Sequence, residues 1–369
     1  MNTDRDAGGI SRRETNVNGS DKRKVKVVRW EDLEVGRLLG CGSFSAVFDV
    51  RLKEEMRLCK QPRLHGEEAT GTPTEHNRAT TASSTFEASG WCRSSKSGQG
   101  DEKLAIKCVS DQTFENQQAD VAAEGLRNEL KILLSLPNHR HIVELVAMSP
   151  DFDLTGLETA SLDSFLILHQ LSITLDRYLL RVKTRLKLQS PCLMVSGVQQ
   201  LLPSADKKRS IRIGTIGLAV ARALEFLHQH HIIYRDLKPS NIGFDSRHNV
   251  RLFDFGLSCM APPRNGVSGR SESASTFVGT PRYMAPEVRH DPFYDNRGDV
   301  YSFGLLLREL YTLKTPPIRR SALWQPHMGI SSSKVRNLVK DCTRLSRSQR
   351  PSMSLVVAKV NSWNHVEIL

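Results

Sequence analysis

The residues best suited to chemistry lie within eight positions, from Tyr234 to Asn241. Asp236 can orient and deprotonate a hydroxyl group, and Lys238 can neutralise charge on a phosphoryl group during transfer. Asn241 offers an amide oxygen to a hard cation such as Mg²⁺. Taken alone, each of these polar residues is also compatible with an ordinary turn.

A second acidic residue, Asp254, follows Asn241 by thirteen residues in the sequence Asp254-Phe255-Gly256. It comes directly after the strand pattern of residues 250–253, which places a further oxygen ligand at a strand end beside a flexible glycine. The order of these two polar segments makes chance a poor explanation. Together they predict a cation site beside an acid–base group.

Two features earlier in the chain could hold phosphate groups. Gly40 and Gly42 lie in a turn between two apparent strands, where glycines let backbone N–H groups approach a phosphate. A plain hairpin turn is the simpler alternative for this pair.

Lys107 ends an apolar strand pattern, and a buried ammonium group needs an anion, which Glu129 on the next helix can supply. A lysine that reaches solvent at the sheet edge is the alternative.

The elements that must position these residues are strand-rich at first and helical afterwards. Alternating or clustered apolar residues predict strands from Trp30 onwards and at 104–109 and 164–171. Apolar residues at helical spacing predict helices over 119–136, 211–230 and 299–313. This order indicates an α+β chain in two lobes.

Three segments lack such periodicity. Residues 1–29 hold few large apolar side chains, and we interpret them as a disordered basic N-terminal arm. Residues of about 54–101 and 183–210 are interpreted as insertions into the folded part. The domain at 30–369 then comprises an N-lobe, 30–170, and a C-lobe, 171–369.

Composition limits the class of protein. The 39% hydrophobic and 25% charged residues are ordinary for a globular chain and exclude a wholly disordered or coiled-coil one. The 7 cysteines form no Cys-x-x-Cys pair, which argues against a disulfide framework or zinc module and favours a reducing compartment. We therefore expect an intracellular protein, cytoplasmic or alternatively nuclear, without a membrane span. The net charge of +12 is spread over arm, insertions and loops, so a nucleic-acid partner is disfavoured.

Read in order, several motifs resemble the signature set of the eukaryotic protein kinases. These motifs are Gly40-Cys41-Gly42, Lys107, Glu129, Tyr234-Arg235-Asp236, Asn241, Asp254-Phe255-Gly256 and Ala285-Pro286-Glu287. The resemblance runs from about Trp30 onwards, interrupted by the two insertions. It implies a two-lobed protein-kinase-like fold, with a small β-rich N-lobe holding one main helix and a larger, mainly helical C-lobe.

The resemblance also implies an activity. The family transfers the γ-phosphate of ATP to protein hydroxyls, with Mg²⁺ as the metal and Mn²⁺ as the alternative. Lys238-Pro239-Ser240 and the segment 279–287 are similar to those of serine/threonine kinases, with a protein as substrate. The segment 299–304 is similar to the tyrosine-kinase-like branch of that group.

The resemblance assigns roles to the matching residues. Asp236 would be the catalytic base, Lys238 would stabilise the phosphoryl group, and Asn241 and Asp254 would hold the metal. Lys107 would bind phosphates and pair with Glu129, for which Glu124 is the less favoured alternative. The implied ATP-binding residues are Leu39, Gly40, Cys41, Gly42, Ser43, Phe44, Val47, Ala105, Lys107, Glu129, Leu168 and Leu171.

Further residues have structural or regulatory roles in the family. Glu287 and Arg350 would form a buried ion pair, and Asp299 would brace the catalytic loop. Arg235, beside the catalytic aspartate, predicts control by a phosphate in the activation loop. The candidate phosphorylation sites are Thr276, Ser275 and Ser273.

One residue departs from the family pattern in a way that bears on function. Gly243 stands where a larger side chain packs beneath the adenine in the family. The absence of that contact is expected to weaken nucleotide binding by about 1–3 kcal/mol unless another residue compensates. The alternative to an active enzyme is therefore a pseudokinase that serves as a scaffold.

Overall fold

The computed structural model describes residues 25–42, 44–53, 103–110, 118–152, 163–188, 212–261, 279–289, 295–318 and 324–364. The first predicted insertion and most of the second lie outside these ranges. So do one predicted ATP-binding residue, Ser43, and the three predicted phosphorylation sites, Ser273, Ser275 and Thr276.

The N-lobe contains a sheet with the strand order β1-β5-β6-β4-β3-β2. The strands are β1 (Lys26–Val27), β2 (Leu33–Cys41), β3 (Ser45–Leu52), β4 (Leu104–Val109), β5 (Leu145–Met148) and β6 (Phe165–His169). All neighbouring pairs are antiparallel except β1 and β5, which are parallel. The central strands β4 and β6 are apolar because both faces of the sheet are covered there, and Ile106 and Ile167 are fully buried.

Regular structure begins earlier than the sequence indicated. Lys26 and Val27 pair with Ala147 and Met148, although we placed them in the disordered arm. The reason is the following residue, Val28, which is buried in an apolar cluster with Ile106 and Ile167 of the sheet. This burial holds the short strand in place. The boundary of the N-terminal arm is corrected accordingly.

One long helix, α1 (Ala119–Ser135), packs against the N-lobe sheet. Leu126, Leu130 and Leu133 recur at intervals of three or four residues and are buried, which is the pattern of a helix with one apolar face. Pro137 follows the last turn and cannot continue a helix. This helix carries Glu129 towards the sheet.

The C-lobe is mainly helical. Its helices are α2 (Leu175–Leu188), α3 (Leu218–Gln229), α4 (Arg297–Thr312), α5 (Ser333–Cys342) and α6 (Met353–Asn364), and a π-helical turn at Ile213–Gly217 leads directly into α3. Helix α4 is buried along almost its whole length, and α3 packs against α6. Ser332 caps α5 by accepting a hydrogen bond from the backbone N–H of Val335.

Short strands of the C-lobe carry the loops of chemical interest. They are β7 (Ile173–Thr174), β8 (Ile232–Ile233), β9 (Ile242–Phe244), β10 (Val250–Leu252) and β11 (Cys259–Met260). Strands β10, β9 and β7 form one small antiparallel sheet, and β11 pairs with β8. Asp236 follows β8 and Asp254 follows β10, so the two segments come from different small sheets of the C-lobe.

The second predicted insertion begins later than residue 183, because α2 continues to Leu188. Leu175 and Leu179 anchor this helix in the core, and Arg177, Arg181 and Arg185 lie on its exposed side. The predicted fold class, a β-rich lobe followed by a larger helical lobe, is confirmed. No helix in the described ranges is both long and apolar enough to cross a membrane.

Candidate active site

The loop that carries Asp236 is held against helix α4 by Asp299. The Asp299 carboxylate accepts hydrogen bonds from the backbone N–H groups of Tyr234 and Arg235, each at 2.9 Å. His228 on α3 approaches the same carboxylate with Nε2 at 2.9 Å. Arg235 has a left-handed backbone (φ 70°), so these bonds also fix a turn that is unfavourable for a bulky residue.

Asp236 itself is buried and receives three side-chain donors. Lys238 Nζ lies 2.7 Å and Asn241 Nδ2 3.0 Å from its Oδ2, and Thr280 Oγ1 donates to its Oδ1 at 2.7 Å. These bonds fix the direction of the carboxylate. A hydroxyl group delivered to this carboxylate would meet an acceptor and a neighbouring ammonium group.

Thr280 is a site residue that our sequence reasoning did not identify. Its hydroxyl also receives a hydrogen bond from Lys238 Nζ, at 3.1 Å. Gly279 (φ 111°) makes this approach possible, because a Cβ there would lie 2.6 Å from the carbonyl oxygen of Arg235. The Gly279-Thr280 pair after a serine-rich segment was the available signal in the sequence.

Asn241 directly precedes β9, and Asp254 lies two residues beyond β10, the strand that pairs with β9. The backbone N–H of Phe253 donates to the carbonyl oxygen of Asn241 at 3.1 Å, which joins the two segments. The side-chain amide nitrogen of Asn241 faces Asp236, so its amide oxygen is the atom available to a cation. The Asp254 carboxylate is 41% exposed towards the cleft.

This donor set fits a hard cation. Within the described ranges, no three His, Cys, Asp or Glu side chains come together as a metal centre. One carboxylate and one amide oxygen are instead the sparse set used for Mg²⁺, which keeps water ligands and binds substrate phosphates. Asn241 and Asp254 would hold such a cation when a nucleotide is bound.

Lys107 links the sheet, the helix and the cation site. Its Nζ lies 2.5 Å from Glu129 Oε2 and 2.8 Å from Asp254 Oδ1. Burial by itself would lower the pKa of Lys107, but the carboxylates of Asp254 and Glu129 outweigh burial and raise the pKa above its ordinary value. Lys107 therefore stays positively charged, as a phosphate-binding group must be.

The same contact acts on Asp254. Burial opposes its ionisation, but the charge and hydrogen bond of Lys107 prevail and lower the pKa of Asp254 below its ordinary value. Its carboxylate is thus ionised at neutral pH and ready to bind a cation. Glu124, the less favoured alternative partner for Lys107, lies instead near Arg127, with 3.8 Å between the charged atoms.

Asn128 is a second residue that sequence reasoning missed. Its side-chain amide donates to the carbonyl oxygens of Gly256 and Ser258, at 2.9 and 2.7 Å. It thereby connects helix α1 to the chain that follows Asp254. Nothing in the local sequence pattern distinguishes this asparagine from a solvent-exposed helical residue.

A column of buried apolar side chains stands behind these polar groups. Tyr234 and Phe255 meet edge to face with ring centroids 5.4 Å apart, and both belong to the core that includes Leu133 and Leu145. The Tyr234 hydroxyl donates to the carbonyl oxygen of Phe253 at 2.5 Å. Both aspartate-bearing segments are therefore fastened to the same core.

Four of the predicted nucleotide-binding residues lie side by side in the N-lobe sheet. Val47 of β3 lies opposite Lys107 of β4, and Ala105 of β4 lies opposite Leu168 of β6. The four residues therefore lie close together on three neighbouring strands. The tip between β2 and β3 is closed by a hydrogen bond of 2.8 Å from Gly42 N–H to the carbonyl oxygen of Ser45.

The remaining residues of the tip are in open positions. Leu39 and Gly40 lie in β2 ahead of the tip, and the Phe44 ring beyond it is exposed. Cys41 is also exposed, and its thiol lies 3.5 Å from the hydroxyl of Ser110.

The space above Gly243, expected to be unfilled, contains the side chain of Leu171. A Cβ at Gly243 would lie 2.7 Å from Leu171 Cδ1, so a side chain there would require the end of the Leu171 side chain to move. Another residue thus occupies the position left by the glycine.

Glu287 and Arg350 form a bidentate ion pair, with N–O distances of 2.5 and 2.7 Å. The Arg350 side chain is fully buried, donates to the carbonyl oxygen of Arg297 and lies over the ring of Tyr301. This pair ties the segment that holds Thr280 to the helices of the C-lobe.

The fold and the site together define a class of protein. A β-sheet lobe and a helical lobe enclose a cleft with a charged lysine, a pair of cation ligands and a firmly oriented aspartate. Such an arrangement is that of a phosphotransferase of the protein kinase type.

The chain belongs to the protein kinase domain family, whose sequence model matches residues 88–361. A probable serine/threonine-protein kinase of Dictyostelium discoideum is 38% identical over 146 residues, which cover 38% of this chain and 14% of the relative. The eye isozyme of protein kinase C from Drosophila melanogaster is 50% identical over 98 residues, covering 26% and 13%. The serine/threonine/tyrosine-protein kinase HT1 of Arabidopsis thaliana is 31% identical over 185 residues, 46% of each protein. The chain therefore spans less than half the length of each of these relatives.

Proposed function

We propose that this chain is a serine/threonine protein kinase that transfers the γ-phosphate of ATP to Ser and Thr hydroxyls of a protein substrate. The observation that carries the proposal is the arrangement of Lys238 and Thr280 around Asp236. The carboxylate is oriented, an ammonium group stands beside it, and both contact the segment that would face a peptide. Relatives whose names state serine/threonine kinase activity support the same assignment.

In the proposed reaction, the substrate oxygen forms a bond to the γ-phosphorus, and the bond from that phosphorus to the β–γ bridging oxygen breaks. The hydroxyl proton passes to Asp236, and ADP leaves. Lys238 offsets the charge on the transferring group, and Lys107 holds the phosphates that remain on the nucleotide. A Mg²⁺ ion bound with the nucleotide supplies further charge neutralisation, and Asn241 and Asp254 are its proposed ligands.

The test is phosphate transfer from Mg-ATP by the purified chain to itself and to generic Ser/Thr acceptor peptides. The Asp236→Asn variant is the control, because it keeps the shape of the side chain and removes the proton acceptor. We expect phosphoserine and phosphothreonine only, with transfer reduced by a factor on the order of 10²–10⁴ in the variant. Transfer that the variant retains in full would contradict the assignment.

We further propose that phosphorylation of the segment before Gly279 activates the enzyme, with Thr276 as the first candidate and Ser275 and Ser273 as alternates. Arg235, beside the catalytic aspartate, supports this because a guanidinium group binds phosphate in a bidentate manner. If Thr276→Ala and the triple alanine variant keep full activity after preincubation with ATP, this regulation is absent.

Two finer assignments are also proposals. The segment 299–304 supports a place in the tyrosine-kinase-like branch. The scattered cysteines support a cytoplasmic location. The alternative function, a pseudokinase scaffold, rests on Gly243 and on the short segment 314–334, and the transfer test above distinguishes the two functions.

A further inference from the structure

The segment that joins the two lobes runs directly past Gly243. Gln170 N–H donates to the carbonyl oxygen of Lys103 in the N-lobe at 2.9 Å, and Ser172 N–H donates to that of Phe244 in the C-lobe at 2.7 Å. Leu171, between these two anchors, is therefore held in place on both sides. Strand β7 follows at once and pairs with β9, with Thr174 opposite Gly243.

Gly243 lies in β9 between Ile242 and Phe244. Side chains alternate between the two faces of a strand, and Ile242 is fully buried in the C-lobe core. A side chain at position 243 would therefore point away from that core, and the atoms nearest to its Cβ would belong to Leu171 and Ile173.

The side chain of Leu171 occupies the space that such a residue would take. Leu171 Cδ1 and Cβ lie 2.7 and 3.2 Å from the position of a Cβ at Gly243. Both distances are shorter than ordinary carbon–carbon contacts. A larger residue at position 243 would therefore have to displace the side chain of Leu171, and the two residues compete for one space.

We propose that Leu171, rather than a residue of β9, provides the apolar C-lobe surface against which the base of the bound nucleotide packs. Val47 and Ala105 of the N-lobe would form the opposite surface. This inference rests on the proposed function and extends it, because it moves a nucleotide contact from the C-lobe sheet to the segment that joins the lobes. Gly243 then causes no loss of affinity, since the contact is made by another side chain.

The test measures the dissociation constants of Mg-ATP and of magnesium tripolyphosphate, which has phosphates but no base. The variants are Leu171→Ala, Gly243→Leu and the double variant Leu171→Ala/Gly243→Leu. Leu180→Ala is the matched control, because Leu180 lies on the exposed side of α2. The melting temperature of each protein without ligand reports whether it is folded.

We expect Leu171→Ala to weaken Mg-ATP binding roughly tenfold, the effect of losing part of one apolar contact. Tripolyphosphate affinity should be unchanged, because the phosphate contacts are untouched. Gly243→Leu should lower both the ATP affinity and the melting temperature, since two side chains compete for one space. The double variant should recover both quantities, with the ATP affinity within about threefold of the parent chain.

Two outcomes would overturn the proposal while leaving kinase function intact. One is a Leu171→Ala protein that binds Mg-ATP as the parent chain does. The other is a double variant no better in affinity and melting temperature than Gly243→Leu alone. A parent chain that binds no Mg-ATP at all would instead overturn the proposed function and, with it, this inference.

Discussion

The hydroxyl of Thr280 donates a hydrogen bond of 2.7 Å to Asp236 and accepts one of 3.1 Å from Lys238. The two residues that meet, Thr280 and Asp236, are 44 positions apart in the chain. The contact joins the loop that carries the proposed base to the segment that the Glu287–Arg350 ion pair holds in place. This hydrogen bond therefore links the segment that would face the substrate to the loop that carries the proposed base.

Replacement of Thr280 by valine tests this link, because valine keeps the shape of threonine and lacks the hydroxyl. We expect kcat to fall by a factor on the order of 10–100, since Asp236 loses a group that orients it. The KM for ATP should stay near the parent value, because Thr280 contacts Asp236 and Lys238, whereas the residues assigned to the base of the nucleotide lie in the N-lobe strands and the segment that joins the lobes. Thr280→Ser, which restores a hydroxyl, should recover most of the rate, and a serine variant as slow as the valine variant would contradict this role.

Lys107 should be required for phosphate transfer. In Lys107→Met the carboxylates of Glu129 and Asp254 lose the ammonium group between them, and the nucleotide loses a cation. We expect transfer to fall by a factor on the order of 10² or more, and the rise in melting temperature on addition of Mg-ATP to shrink. Lys131→Met is the matched control, because Lys131 is exposed on helix α1, two residues beyond Glu129, and this variant should keep the parent activity.

The polar residues near Asp236 and Asp254 could be predicted from the sequence because they lie in short segments with distinctive spacing. The strand at 104–109, the helix at 119–136 and the helix at 299–313 were also indicated by their periodicity, and the structure places regular elements there within a few residues. Thr280 and Asn128 could not be predicted in this way. Their partners are distant in sequence, and no local period records a contact between loops.

Gly243 is a second case in which a contact between distant segments could not be predicted from the sequence. A missing side chain is visible in a sequence, but the residue that replaces it belongs to another segment. Only the pairing of β7 with β9 brings Leu171 against Gly243. The early start of β1 was missed for a similar reason, since two residues are too few to show alternation.

Loss of Arg350 should strongly destabilise the protein. In Arg350→Met the Glu287 carboxylate, which is only 16% exposed, is left without its partner. We expect the free energy of unfolding to fall by about 3–5 kcal/mol. Arg344→Met, which removes a pairing with the less buried Asp341, is the matched control and should change stability by about 0.5 kcal/mol or less.

Urea denaturation of Arg350→Met with and without Glu287→Gln separates charge from packing. If the stranded charge is the cause, the double variant should be more stable than Arg350→Met alone. Equal stability of the two would show that the lost contacts of the arginine side chain, including that with Tyr301, account for the effect.

Acid should destabilise the fold through His139, which lies on the loop between α1 and β5. Its ring stacks on Phe226 with centroids 4.3 Å apart, and burial together with the charges of His141, Arg140, Arg251 and His230 lowers the pKa of His139 to about 4. An unfolded histidine has a pKa of about 6.5, so the unfolded chain binds this proton first. Stability is therefore fully present above pH 6.5 and is lost as the pH falls from 6.5 towards 4.

The variant His139→Asn tests this assignment, because asparagine can still accept the hydrogen bond that the backbone N–H of His141 donates to the His139 ring at 3.3 Å. At pH 7.5 His139 is neutral in both the folded and the unfolded protein. Any difference in melting temperature between variant and parent at this pH therefore reports packing alone. Between pH 7.5 and 5 the melting temperature of the variant should fall less than that of the parent. The variant should still lose some stability in acid, because burial also lowers the pKa of His141, whose ring lies beside that of His139. Parallel curves for the two proteins over this range would show that His139 carries none of the acid sensitivity.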